Sequence, residues 1–87
     1  LRAIIRAFFP IPKSASKKKR EQMRDLRILH TKKPDADNII KAVLDALNGV
    51  AYYDDSQVAE VIISKAYAEV PKVEIEIYNV GDVYAKR

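Results

Sequence analysis

The window from Pro34 to Gly49 constrains the fold of this chain more than any other. Ile40, Val43, Leu44 and Leu47 fall at i, i+3, i+4 and i+7, so a helix through this window gathers its apolar side chains into one stripe. Pro34-Asp35 suits the entry of such a helix. Asn48-Gly49 suits its exit, because glycine takes the left-handed conformation at little cost. A helix with one apolar stripe needs a partner surface, and the flanking segments read as strands. Leu1 to Phe9 (LRAIIRAFF) is stopped by Pro10-Ile11-Pro12, since proline cannot continue a ladder. Val58 to Tyr67 is β-branched and ends before Pro71. Val73 to Tyr78 (VEIEIY) alternates apolar and acidic residues, which predicts one packed face and one wet face. Val50 to Tyr53 reads as a further short strand that packs Tyr52 and Tyr53, followed by an acidic turn at Asp54-Asp55-Ser56. Upstream, Ser14 or Ser16 caps a helix through SKKKREQMRDL, whose apolar positions are chiefly Met23 and Leu26. Arg27 to Lys33 is a short strand or an extended loop. The order β-α-(β)-α-β-β-β predicts an α+β fold, a small mixed sheet with two helices on one side, forming a single domain over residues 1–87.

Eighty-seven residues bury only about 60–65 % of the surface that their unfolded chain exposes. The absence of cysteine excludes a disulfide framework or a thiolate metal site. Extra stability is then expected from oligomerisation or from a bound ion. No run approaches the roughly 18 apolar residues of a membrane span, and no secretory signal is visible, so the expected location is cytoplasmic. Leu1 falls inside the first strand, and the chain reads as N-terminally incomplete.

The formal charge of +4 conceals an asymmetry. Residues 1–33 hold eleven Lys/Arg against Glu21 and Asp25, a net of +9, whereas residues 34–87 hold five against ten Asp/Glu, a net of −5. A basic block beside a carboxylate-rich block suits a polyanion gripped by one part and attacked through metal ions by the other. Two halves that attract each other would show the same asymmetry. The basic candidates for phosphate contact are Lys17, Lys18, Lys19, Arg20 and Arg24 on the first helix, with Lys32 and Lys33 before the second. Such contacts are sequence-independent and salt-sensitive.

The chemistry concentrates between Lys32 and Val58. Asp35 and Asp37 stand at the entry of the second helix, and Asp54 and Asp55 on the turn that follows it. If the turn folds back on the helix, three or four carboxylates converge, hard oxygen ligands of the kind Mg²⁺ takes. Each part also has a plainer reading. Asp35 suits an N-cap and Asp37 a first-turn acid favoured by the helix dipole. Asp54-Asp55 suits an ordinary turn. Lys41 lies four residues from both Asp37 and Asp45, the spacing of an exposed ion-pair ladder, or else stands ready to neutralise a phosphate. His30 suits a phosphate contact or plain surface better than a general base.

The run KPDADNIIKAVLDALNG followed by AYYDDSQV closely resembles the RusA-type crossover junction endodeoxyribonucleases, the Holliday junction resolvases common in phages and prophages. The shared pattern is a basic residue before D-x-D-N, a lysine four beyond the second aspartate, D-A-L at the helix end, then D-D-x-Q. Here it is carried by Asp35, Asp37, Asn38, Lys41, Asp45, Ala46, Leu47, Asp54, Asp55 and Gln57. The upstream PIPKSASKKKREQM resembles the branch of the family found in Gram-positive hosts. The resemblance spans roughly residues 8–78. It implies a metal cluster at Asp35, Asp37 and Asp55, with Asp54 beside it, and Lys41 as the catalytic lysine. It further implies Mg²⁺ as cofactor, a homodimer, and paired symmetric nicks across a four-way DNA junction, with no organic cofactor. The family's usual N-terminal strand and its turn rich in proline and glycine have no counterpart in this sequence. Two further readings remain: a non-catalytic DNA-binding protein of the same fold, in which the carboxylates are structural, and a metal-dependent nuclease or phosphohydrolase acting on a simpler substrate.

Overall fold

A computed structural model describes residues 1–80; the predicted domain boundary at Arg87 lies outside the described residues. The elements run β1 (Arg2–Pro10), α1 (Lys17–Arg24), α2 (Ala36–Leu47), a 3-10 turn η1 (Asp55–Gln57), β2 (Glu60–Ala68) and β3 (Lys72–Tyr78). The sheet is mixed, in the order β2-β1-β3. β1 is central, parallel to β2 and antiparallel to β3. Parallel strands need a long crossover, and the chain from Ile11 to Ala59 provides it. Both helices lie within that crossover and pack against β2.

Register sorts the side chains onto two faces. Ala3, Ile5 and Ala7 face the same way as Val61, Ile63 and Lys65 of β2 and as Ile77, Ile75 and Val73 of β3. The β1 residues of this set are the deepest in the molecule, and Ile5 is fully buried. Beyond the strand, Ile11, Met23 and Tyr67 form a cluster joined by Phe9, Ala15 and Ile28, which seats α1 on the sheet. The opposite face is wet and carries the ion pairs Arg2–Glu60 and Arg6–Glu76, with the Lys72 ammonium 5.2 Å above the Phe8 ring. Surface pairs of this kind contribute roughly 0–1 kcal/mol each.

Three expectations are corrected. Val50 to Tyr53 is a tight turn closed by a single Asn48–Tyr52 bridge and by the Gly49 N–H donating to the Tyr52 carbonyl at 2.8 Å. The apolar face of β3 is only part-covered, with Val73 54 % and Ile75 39 % exposed. The reason is that both helices sit over β2. The helical stripe of Ile40, Val43, Leu44 and Leu47 is half-buried throughout rather than fully so.

The helix limits follow local chemistry. Ser16 caps α1 by accepting from the Lys19 N–H. α1 ends at Arg24, two residues short of Leu26, because Leu26 turns left-handed (φ 62°). The Arg27 N–H then bonds to the Gln22 carbonyl and the Leu26 N–H to that of Met23, a Schellman closure. α2 exits through Gly49 at φ 77°. Arg27 to Lys33 is an extended loop, and the Lys33–Pro34 bond is cis.

Candidate functional site

Asp35 is the N-cap of α2, extended at φ −69° and ψ 152°, yet its side chain makes no capping hydrogen bond. Its carboxylate therefore stays exposed to solvent, as does that of Asp37 in the first turn. Lys41 is exposed one turn further on. Among the described residues no ion pair joins it to Asp37 or Asp45, so the predicted ladder does not form.

The second acidic pair is built differently. Asp54 is a working cap: its carboxylate accepts from the Ser56 N–H and hydroxyl. Gln57 closes the box from the other side, its Oε1 accepting from the Tyr53 N–H at 2.8 Å and the Asp54 N–H at 3.2 Å. The D-D-x-Q spacing is thus also the spacing of a capping box, a signal that the sequence itself carries. Hydrogen bonds from Ser56 hold the Asp54 carboxyl below the usual carboxylate range. Asp55, half-buried, opens η1.

Tyr52 ties this turn to the helix. It is buried, and its hydroxyl donates to the Leu44 carbonyl at 2.8 Å. Burial pushes its pKa up, and Asp55, Asp45 and Asp54 push it further in that order. The turn therefore folds against the C-terminal half of α2, near Asp45. Asp37 lies two turns back, about 12 Å along the axis at 1.5 Å per residue. The charges that act on the Tyr52 hydroxyl from this end of α2 are those of Asp55, Asp45 and Asp54. Four hard oxygen donors stand on adjoining elements, but among the described residues no three carboxylates or histidines are gathered to hold one ion.

The basic candidates separate into two kinds. Lys17, Lys18 and Lys19 are exposed. Arg20 is committed internally, donating to the Pro12 and Lys13 carbonyls, and Arg24 pairs with Glu69. Lys19 and Lys32 line one depression of about 300 Å³ with Pro12, Ser16 and Met23. Lys65 of β2 joins this basic region, its ammonium donating to the Lys32 carbonyl at 2.6 Å. Lys65 was not legible in the sequence because only the folded chain brings the loop at Lys32 against a strand 33 positions later. His30 corrects the surface reading: it is buried, stacked on Phe9 at 3.8 Å between centroids, with Tyr67 at 5.3 Å. Its Nδ1 has no hydrogen-bond partner. Burial and the neighbouring Lys65 and Lys32 depress its pKa, which favours the neutral ring.

The described residues thus form a small mixed sheet with a basic helix packed on β2 and two aspartate pairs, one at the start of α2 and one at η1. The sequence matches the endodeoxyribonuclease RusA family over residues 1–78, and the chain belongs to that family. It is 46 % identical over 79 residues to the uncharacterized protein YqaN of Bacillus subtilis (strain 168), a match covering 88 % of this chain and 56 % of that protein. The chain thus spans little more than half the length of that relative. No solved structure matches it. No helix among the described residues is long and apolar enough to cross a membrane.

Proposed function

We propose that the chain is the nuclease domain of a divalent-metal-dependent enzyme that resolves four-way DNA junctions by paired symmetric nicks. The observation carrying this reading is the family match over residues 1–78, with D-x-D-N, Lys41 and D-D-x-Q all present inside it. Mg²⁺ is the proposed ion and Asp35, Asp37 and Asp55, with Asp54, the proposed ligands. Their oxygens are hard donors, and Mg²⁺ uses few protein groups while keeping water or substrate phosphate in its remaining positions. The described chain does not gather these ligands by itself, so no step is assigned to the ion beyond its general capacity as a Lewis acid.

Protein groups account for the rest. Lys41, exposed and unpaired with either neighbouring aspartate, is the proposed group that neutralises a phosphate or a developing alkoxide. Lys17, Lys18, Lys19, Lys32 and Lys33 hold the DNA backbone. Arg20 and Arg24 contribute indirectly by fixing α1, since their guanidiniums are already engaged. Two cuts on opposing strands call for two copies of the site, hence a homodimer, and the part-covered apolar face of β3 leaves surface for a second copy to bury.

The test is a gel assay on a labelled four-way junction and a matched duplex, with Mg²⁺ and with EDTA. Symmetric nicks in the junction alone, and only with Mg²⁺, are expected. A shifted but uncut junction under both conditions would establish a binding module instead, and equal cutting of junction and duplex a less selective phosphodiesterase.

A further inference from the structure

Tyr52 and Tyr53 are adjacent in sequence and opposite in environment. Tyr52 is 7 % exposed and anchored on Leu44, whereas Tyr53 is 94 % exposed. The backbone leaves Tyr53 little choice of direction. On one side Tyr52 is fixed by its hydroxyl and by the Gly49–Tyr52 hydrogen bond, and on the other Gln57 grips the N–H groups of both Tyr53 and Asp54. The turn's hydrogen bonds thus hold the backbone on either side of a ring that stands in water. Val50, on the same turn, is 81 % exposed, so a second apolar side chain stands open to solvent there. With its backbone held and only two side-chain torsions left free, a tyrosine loses little further freedom on binding a flat partner.

Its position indicates the partner. Tyr53 immediately precedes Asp54 and Asp55. The following inference rests on the reading that these carboxylates meet a DNA phosphodiester. If they do, the bases attached to that phosphodiester are the nearest flat apolar surface. Every base has a face that stacks on an aromatic side chain, whatever its identity. In continuous duplex those faces are covered by neighbouring base pairs. At a branch point the stack is interrupted, and the cost of opening it is lowest where pairing or stacking is already broken. Apolar wedges act at base steps in the same way when they kink DNA.

We propose that Tyr53, flanked by Val50, stacks on a base at the branch point and makes the enzyme prefer a junction over duplex. Tyr53 is thus a specificity-determining residue, and the turn from Gly49 to Gln57 exists to present it beside the acidic pair. Asp54 and Asp55 repel phosphate in the absence of metal, so a neutral ring is the part of this turn that can touch DNA without an ion.

The experiment compares wild type, Tyr53→Ala and Tyr53→Phe on an immobile four-way junction carrying 2-aminopurine beside the branch point, and on the matched duplex, in EDTA. Fluorescence reports unstacking and anisotropy reports affinity. Wild type and Tyr53→Phe are expected to bind the junction alike and to perturb the probe alike. Tyr53→Ala should lose about five- to a hundredfold in junction affinity, the range for one base on one ring, with duplex affinity and thermal midpoint unchanged. Equal junction affinity and probe signal in Tyr53→Ala and wild type would overturn the inference and leave the nuclease reading intact. A change in sedimentation state in Tyr53→Ala would overturn it in favour of a protein–protein contact. A wild type that binds neither DNA would overturn the nuclease reading itself, and this inference with it.

Discussion

Single side chains divide the candidate site into groups that build it and groups left to act. Asp54 and Gln57 are spent on the turn, while the Asp35, Asp37 and Lys41 side chains are exposed and uncommitted. Asp37→Asn or Asp55→Asn should reduce junction cutting below detection while binding holds or tightens, since one negative charge fewer faces the phosphates. Lys41→Ala should also lose cleavage with an unchanged thermal midpoint. Cleavage at the wild-type rate by any of these variants would remove that residue from the proposed site. His30 makes a separate prediction about stability. Its pKa is lowered in the folded chain, so the unfolded chain binds the proton more readily. Stability is then full above pH 6.5, the usual imidazole value, and is lost as pH falls from there toward the lowered value. Lys65 and Lys32 face the ring and oppose its protonation, and Phe9 and Tyr67 deny it water. His30→Phe should keep the stack, remove the unpartnered Nδ1 and flatten the dependence in that window. Urea midpoints measured across it would show this, and a slope unchanged in the variant would assign the effect to other groups.

Elements were legible where their limits are local and obscure where they depend on distant partners. Pro10 ending β1, the Ser16 cap and the Gly49 exit all reside in neighbouring residues, and the alternation of β3 survived into its register. The stretch Val50 to Tyr53 misled because its residues favour strands, yet Gln57 and the Leu44 carbonyl bend it into a turn. His30 looked exposed because Phe9 and Tyr67, which bury it, come from two different strands. Arg20 and Arg24 looked free for DNA because nothing nearby in sequence announces the Pro12 carbonyl or Glu69 as partners. The two left-handed residues give a paired test of how the helices end. Leu26 occupies a position where glycine is usual, so Leu26→Gly should stabilise by about 0.5–1 kcal/mol. Gly49→Ala should cost about 1 kcal/mol, although nothing lies within 4 Å of the added methyl, because only the backbone angle is penalised. Thermal midpoints moving in opposite directions would verify both, and a loss in Leu26→Gly would show that its side chain contributes more than its strain.

Taken together, the described residues form a three-stranded sheet covered chiefly over β2. A domain with so small a core and an apolar face open at Val73 and Ile75 gains from a second copy. If the proposed homodimer is real, the thermal midpoint should rise with protein concentration, as it does whenever assembly favours the folded chain. Sedimentation at the same concentrations would show the monomer appearing as the midpoint falls, and a midpoint independent of concentration would argue for a monomer. The central place of β1 has a consequence in time. It is made before either of its partners, which both lie beyond the long crossover, after Ala59. At about 5–20 residues per second on the ribosome, Ile4, Ile5, Phe8 and Phe9 emerge several seconds before either neighbour exists. During that interval the chain's most apolar strand has two open edges, which makes nascent-chain aggregation, rather than instability of the finished fold, the main hazard in producing this protein.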